Sequence, residues 1–201
     1  MRARLSRRDF LGTAVAGLGG ATLVSSAFGN PPKVLVAYAT RCGSTREIAQ
    51  AVAQDLRGRG CAVDLRAADK VATLSGYEAV VLGSAVRFGR WLPEAVDFVR
   101  RHQAGLKRIP TAFVAVHIRN TGGDEASRKA RFAYLDPARA LVKPTVEAFF
   151  SGKMDVARLS LSERLLFKLM KGRDADLRDW PAIHSWAKNV FPPLTRSASL
   201  Q

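Results

Sequence analysis

The sequence predicts an α/β fold, a doubly wound five-stranded parallel sheet in the order 2-1-3-4-5 with helices on both faces. Two observations lead there. Short runs of β-branched and apolar residues alternate with stretches of helical periodicity along residues 34–190, the signature of strands joined by helical crossovers. Turns rich in small and hydroxyl residues follow the first, third and fourth of these runs, and those are the loops that meet at the switch point of such a sheet.

The first strand is Val34–Ala39, and it breaks into the turn Thr40-Arg41-Cys42-Gly43-Ser44-Thr45. A helix follows, with Ile48, Val52 and Leu56 four residues apart and Ala49 and Ala53 beside them. Ser44 and Glu47 have the spacing of a capping box at its start. A strand entering a helix through such a turn aims several backbone N–H groups and the positive end of the helix dipole at one spot, which suits a phosphate. Gly43 permits close approach, and Thr40, Ser44 and Thr45 add hydroxyl donors. Neither a Gly-x-x-x-x-Gly-Lys-Ser/Thr loop nor a Gly-x-Gly-x-x-Gly loop follows this strand. An ordinary well-capped turn is the alternative.

Gly58-Arg59-Gly60 ends the helix and Cys61–Leu65 is the second strand. The third strand is Tyr77–Ser84, and its exit loop runs Ser84-Ala85-Val86-Arg87-Phe88-Gly89-Arg90-Trp91. Pro93 opens a helix whose apolar side holds Val96, Phe98 and Val99. Thr111–Val116 is the fourth strand, and His117-Ile118-Arg119-Asn120-Thr121-Gly122-Gly123 is the third loop on the same edge. The basic stretch from Asp124 to Lys143 is too long for a bare connection and contains a short helix. Thr145–Phe150 is the fifth strand, Leu161–Lys171 an amphipathic basic helix, and a last helix starts at Asp179 and Pro181. That helix turns Ile183, Trp186, Ala187 and Val190 to the sheet and ends at Pro192-Pro193, leaving a disordered tail over 192–201.

Residues 1–29 read as an export leader rather than as part of the domain, which covers 30–191. Ser6-Arg7-Arg8-Asp9-Phe10-Leu11 resembles the twin-arginine motif, with Gly12 where lysine is frequent, and a soft apolar run from Gly12 to Ala27 ends in small residues. This implies a periplasmic protein, or one on the outer face of the cytoplasmic membrane.

The chain has 32 basic and 17 acidic residues, a net charge of +15, which favours an anionic membrane surface or an acidic redox partner. No nucleic-acid motif occurs and aromatics do not interleave with the basic runs, so nucleic acid is not expected as a partner. Cys42 and Cys61 lie at opposite ends of the first helix, roughly 20 Å apart, too far for a disulfide. Neither has the spacing of a metal site.

Thr40-x-x-Gly43-x-Thr45 resembles the FMN phosphate loop of flavodoxins. Residues 34 to about 190 resemble the flavodoxin superfamily, most closely its menaquinone-dependent protoporphyrinogen oxidases. The features that carry this are Thr40-Arg41-x-Gly43-x-Thr45-Arg46-Glu47-Ile48-Ala49, Ser84-Ala85-Val86-Arg87-Phe88-Gly89, the basic insertion after strand four, Phe167-Lys168-Leu169-Met170-Lys171-Gly172, and Asp179-Trp180. The resemblance implies a flavodoxin-like sheet, non-covalent FMN, a membrane quinone as acceptor and association with a membrane. FMN would then lie against Thr40, Arg41, Cys42, Gly43, Ser44, Thr45, Ser84, Ala85, Val86, Arg87, Phe88, Gly89, His117, Asn120 and Gly122. Arg41 and Cys42 stand where plain flavodoxins usually have hydroxyl residues, and an export leader departs from an oxidase of cytoplasmic haem synthesis.

Several roles stay open at this level. Phe88 and Trp91 either stack on a flavin ring or pack within their loop. Arg87 either pairs with an anion or is a surface charge. His117 either moves protons or is satisfied at a strand end. The 161–171 helix either rests on lipid or packs on the core with a solvated face. No catalytic residue is singled out. The function expected is an FMN-dependent oxidoreductase passing electrons between a reduced substrate, protoporphyrinogen among the possibilities, and a membrane quinone. The alternative is a non-enzymatic flavodoxin-like carrier, though carriers of that type are typically acidic.

Export gives the first test. Changing Arg7 and Arg8 together to lysine should hold the precursor in the cytoplasm, because the receptor of the route reads the arginine pair; fractionation that finds the double variant outside the cytoplasm overturns the assignment.

Overall fold

A computed structural model of the chain describes residues 30–155 and 175–196, with side chains placed as far as Val190 in the last helix. The leader 1–29, the basic helix expected at 161–171 and the tail from 197 lie outside the described residues.

The parallel sheet has the expected order. Its strands are β1 (Lys33–Ala39), β2 (Ala62–Ala67), β3 (Ala79–Arg87), β5 (Thr111–His117) and β6 (Val146–Ser151), arranged β2-β1-β3-β5-β6. All four pairings are parallel, with Val36 opposite both Leu65 and Val81. Such strands are covered on both faces and therefore read as continuous apolar runs. Val34, Val36 and Val81 meet Ile48, Val52 and Leu56 of α1 (Ser44–Gly58) and Ile183, Ala187 and Val190 of α6 (Trp180–Arg196). Leu35, Ala37, Leu82 and Phe113 meet Phe98 and Val99 of α2 (Pro93–Arg101), Leu106 of the four-residue α3 (Gln103–Leu106) and Ala138 of α5 (Asp136–Arg139). A parity of two along each strand thus serves two separate cores.

The basic stretch after β5 forms α4 (Glu125–Ala133), capped by Asp124 accepting from Ser127 N at 2.8 Å, followed by α5. No residue of α4 is buried, so it lies on the body rather than in it.

Three expectations are corrected, and one open role is decided. The capping box at α1 does not form: Gly43, with φ +87°, is the cap, Ser44 is already helical, and both box side chains are used elsewhere. The left-handed turn lets the chain enter the helix without a side-chain cap. The exit loop 84–91 is mostly strand, since β3 runs to Arg87 and folds back as the two-residue β4 (Arg90–Trp91), with Val86 opposite Trp91 and Arg87 opposite Arg90. Trp91 consequently belongs to the core, 3% exposed and 5.1 Å from the Phe113 ring, and cannot stack on a ligand. The last helix does not stop at Pro192-Pro193 but continues to Arg196. Each proline forfeits one backbone bond, yet its fixed φ of about −65° is a helical value, so a weakened helix can pass through.

The cysteines are not bridged. Cys61 is buried before β2, and burial, with the Glu78 carboxylate behind it, pushes its thiol up to about 11.

The start of α6 is as expected. Asp179 Oδ1 accepts from Ala182 N at 2.9 Å and Asp179 O from Ile183 N at 3.0 Å. Asp179→Ala should therefore destabilise the fold by about 0.5–2 kcal/mol, read as a lower urea midpoint, with Asp179→Asn close to the parent.

Candidate functional site

The carboxyl ends of β1, β3 and β5 share one edge of the sheet, where the winding reverses. There the turn after β1 is shaped by its own side chain: Thr40 Oγ1 accepts from Gly43 N at 3.0 Å, and Glu47 N reaches back to Gly43 O at 3.1 Å. The first-turn N–H groups of α1 have no partner one turn earlier in the helix and carry its positive dipole end. Thr45 is 1% exposed and its Oγ1 is buried without a hydrogen-bond partner. A buried hydroxyl in that state costs about 1–3 kcal/mol unless a ligand or water meets it. A cleft of about 430 Å³ opens on the turn, lined by Thr40, Arg41, Cys42, Gly43 and Arg46. Arg41 is held over it by Glu94 of α2 at 2.6 Å.

A second cavity, about 130 Å³, lies between the loops. It gathers Arg41, Cys42 and Ser44 from the first turn, Ala85, Val86 and Arg87 from β3, and His117 from β5. Ser84 stands beneath them, fully buried, its Oγ accepting from Leu92 N at 3.1 Å and donating to Ala85 O at 2.9 Å. It braces the loop from inside. Phe88 and Gly89 form the tip of the β3–β4 turn, next to the cavity-lining Arg87 but not themselves part of the cavity wall, with Phe88 80% exposed. Asn120 and Gly122 serve their own loop. Asn120, at φ +57°, donates to Tyr134 OH at 2.7 Å, and Arg131 donates to the carbonyls of both Asn120 and Gly122, the latter at 2.7 Å.

His117 is a strand-end histidine with a partner. It is 4% exposed, its Nδ1 donates to Arg119 O at 2.7 Å, and its ring lies 5.6 Å from that of Tyr134. Burial holds its pKa below the usual histidine value, against the pull of the Arg119 carbonyl and with help from Arg131.

The sequence reading missed the far wall. Gly152, Lys153 and Met154 close the cavity opposite β3. Ser44 Oγ accepts from Lys153 N at 2.8 Å, and Gly152 N donates to His117 O at 2.7 Å. A Cβ on Gly152 would sit 2.9 Å from Val116 Cγ1 and 3.2 Å from Ser44 Oγ, so this approach requires glycine. Beyond it β7 (Lys153–Met154) pairs with β8 (Ala175–Asp176). Arg178 then fastens the segment to α1: it donates to Glu47, holds Asp176 at 2.8 Å and lies 4.6 Å from the centre of the Trp180 ring. The signal was available in Ser151-Gly152-Lys153, because the loop after the fifth strand leaves the same sheet edge as the other three. Among the described residues no group of three His, Cys, Asp or Glu side chains is placed to hold a metal, and no helix is long and apolar enough to cross a membrane.

Comparison with known proteins places this geometry. Residues 35–179 match the model of the family described as Flavodoxin domain. Protoporphyrinogen IX dehydrogenase (quinone) of Escherichia coli K12 is 25% identical over 170 residues, which cover 79% of this chain and 94% of that protein. The Leishmania major protein of the same name is 25% identical over 174 residues, 79% of this chain and 74% of that one. Among solved structures, rubredoxin oxygen:oxidoreductase of Desulfovibrio gigas matches with a TM-score of 0.52 at 14% identity. The match covers 85% of this chain but 37% of that one, a likeness of fold alone.

The buried histidine sets a pH dependence. A histidine whose pKa is depressed by folding stabilises the native state above its unfolded value of about 6.5, and that stability is lost as pH falls through the folded pKa. His102, also depressed by burial, acts in the same direction. The urea midpoint should drop between about pH 7 and pH 5, and His117→Gln should flatten part of that drop while His102 supplies the rest. An identical drop in the variant removes His117 from the account.

Proposed function

Because the chain belongs to the flavodoxin domain family, we propose that it is an FMN-dependent oxidoreductase passing electrons between a reduced organic substrate and a membrane quinone. The observation that carries the reading is the buried, unpartnered Thr45 Oγ1 at the head of α1, inside a basic turn that shares one sheet edge with three further loops. The Escherichia coli and Leishmania major relatives are named for dehydrogenation of protoporphyrinogen IX with a quinone.

The residues present fit such a cofactor. Thr40–Thr45 would hold the phosphate through the first-turn N–H groups, the Thr45 hydroxyl and the charges of Arg41 and Arg46. Ala85, Val86 and Arg87, facing His117, would border the ring. When bound, FMN supplies the reversible electron chemistry, and the protein supplies position and field. Leu92 and Val116 contribute buried apolar surface to the cavity wall. His117, held neutral at pH 7 by its burial, brings no charge to the ring. Arg41, Arg46 and Arg87 make the surroundings positive, which favours the cofactor form with more negative charge and raises the potential relative to an acidic carrier. That contrast speaks for the enzyme over a plain electron carrier.

We further propose that the protein is exported by the twin-arginine route and works against an anionic membrane surface. Support comes from the leader and from Arg128 and Lys129, both exposed on α4. Arg131 and Arg139 are less suited to lipid, since Arg131 holds the Asn120 loop and Arg139 pairs with Glu147 at 2.6 Å and Asp136 at 2.8 Å.

The purified protein should be yellow and release FMN on denaturation. Thr45→Val keeps the buried shape but deletes the hydroxyl, so the fold should be as stable as the parent or more so, while FMN binds about tenfold more weakly, the ~1.4 kcal/mol of one lost hydrogen bond. Thr45→Glu should abolish binding. Unchanged FMN affinity in both variants would show that the phosphate is not held by this turn.

A further inference from the structure

We infer that the β3–β4 turn is a docking element for small organic anions, in which Arg87 and Arg90 pair with an acid group and Phe88 covers the flat apolar part of the same molecule. This rests on the site being a redox site for an organic substrate, and it adds the residues that would select that substrate by charge.

The first observation is conformational. Phe88 has φ +50° and Gly89 φ +74°, the positive pair of a type I′ hairpin, a turn normally built from Asn-Gly, Asp-Gly or Gly-Gly. A bulky side chain in the left-handed region is strained. Burial does not offset that strain, because Phe88 is 80% exposed, the highest value among the large apolar side chains described. A glycine or asparagine would make the same turn with less strain and less exposed apolar surface. The phenyl ring thus stands against both conformational and solvation preference, a pattern found at functional positions.

The second observation is electrostatic. Arg87 and Arg90 are directly opposite each other in the two-stranded ladder, and both are exposed. Like charges in opposed positions weaken a hairpin, whereas two guanidinium groups so placed can share one carboxylate or sulfonate. The Arg87 guanidinium lies 5.0 Å from the centre of the Phe88 ring, so charge and aromatic surface form one patch.

The third observation is mechanical. The turn is mounted rigidly: Trp91 is sunk into the core, and Leu92 N donates to both Ala85 O at 3.2 Å and Ser84 Oγ at 3.1 Å. Val86 and Arg87 also line the cavity between the loops. A molecule held on the turn is therefore beside the redox site. This favours a small ligand over a lipid surface, since the turn itself offers only one large apolar side chain.

The test uses the purified full chain and two naphthoquinones as probes, the anionic naphthoquinone sulfonate and the uncharged menadione. Kd is measured by equilibrium dialysis, KM by quinone-dependent reoxidation of the dithionite-reduced protein, and stability by urea titration. Arg90→Gln should raise Kd and KM for the sulfonate about tenfold, the ~1.4 kcal/mol of one charge-assisted contact, and leave menadione unchanged. Phe88→Gly should weaken binding of both probes yet shift the urea midpoint upward, because glycine relieves the strain. A purely structural role for Phe88 would move the midpoint down. Equal sulfonate binding by Arg90→Gln and the parent, or a lower midpoint for Phe88→Gly, overturns the inference. Unchanged dialysis with lost binding to phosphatidylglycerol vesicles would overturn it in favour of a lipid contact. Flavin absorbance of the parent is read separately: its absence refutes the FMN assignment, while normal flavin without charge discrimination refutes the docking element alone.

Discussion

The reversal of winding between β1 and β3 is the constraint on which the rest depends. These strands are neighbours, yet the chain leaves β1 for α1 on one face and β3 for α2 on the other. The two exits must diverge, and a crevice opens at the carboxyl edge between them. Right-handed crossovers leave no other way to cover both faces. The near side of the site follows from this divergence. It turns the head of α1 toward the crevice, brings Arg41 over to Glu94 at the start of α2, and leaves Ser84 as the buried brace between the two exits.

The central strands and their order were legible because both faces of each are apolar. Residues 34–39, 79–84 and 111–116 carry so little polarity that no other role fits them. What stayed hidden were features set by contact between distant segments. Ser44 and Glu47 satisfy the local rule for a capping box, but Lys153 N and Arg178 claim their side chains from more than a hundred residues away. A local rule describes what a side chain does when nothing else competes for it. The β3–β4 hairpin escaped detection because Phe-Gly is an unusual pair for its turn, and Trp91 because an aromatic after a glycine-bearing loop reads equally well as surface or core. The helix through Pro192 and Pro193 shows the limit of a breaker rule: proline weakens a helix without dictating its end.

Charge is distributed with less uniformity than the net value suggests. Arg178 is nearly enclosed between Asp176, Glu47 and Trp180, and Arg139 between Asp136 and Glu147. These guanidinium groups are structural pins whose charge is largely neutralised where it sits. Among the described residues, the exposed basic groups at the rim are Arg46, Arg87 and Arg90 around the crevice and Arg128 and Lys129 on α4, while Arg41 is itself paired with Glu94. Among the described residues, the placement of these groups therefore says more about the field at the site than the net charge does.

If the chain is exported as proposed, the burial of Cys61 matters in an oxidising compartment. Disulfide exchange and oxidation proceed through the thiolate, and a thiol displaced to about 11 holds almost none at neutral pH. Its sulfur is also shielded behind the end of α1. The raised pKa and burial make the Cys61 thiol less reactive in the folded protein than in a chain that is open or has yet to fold. A polypeptide that acquired its final shape before meeting oxidants would carry Cys61 through reduced, and the redox state of that single sulfur would keep a record of whether folding came first.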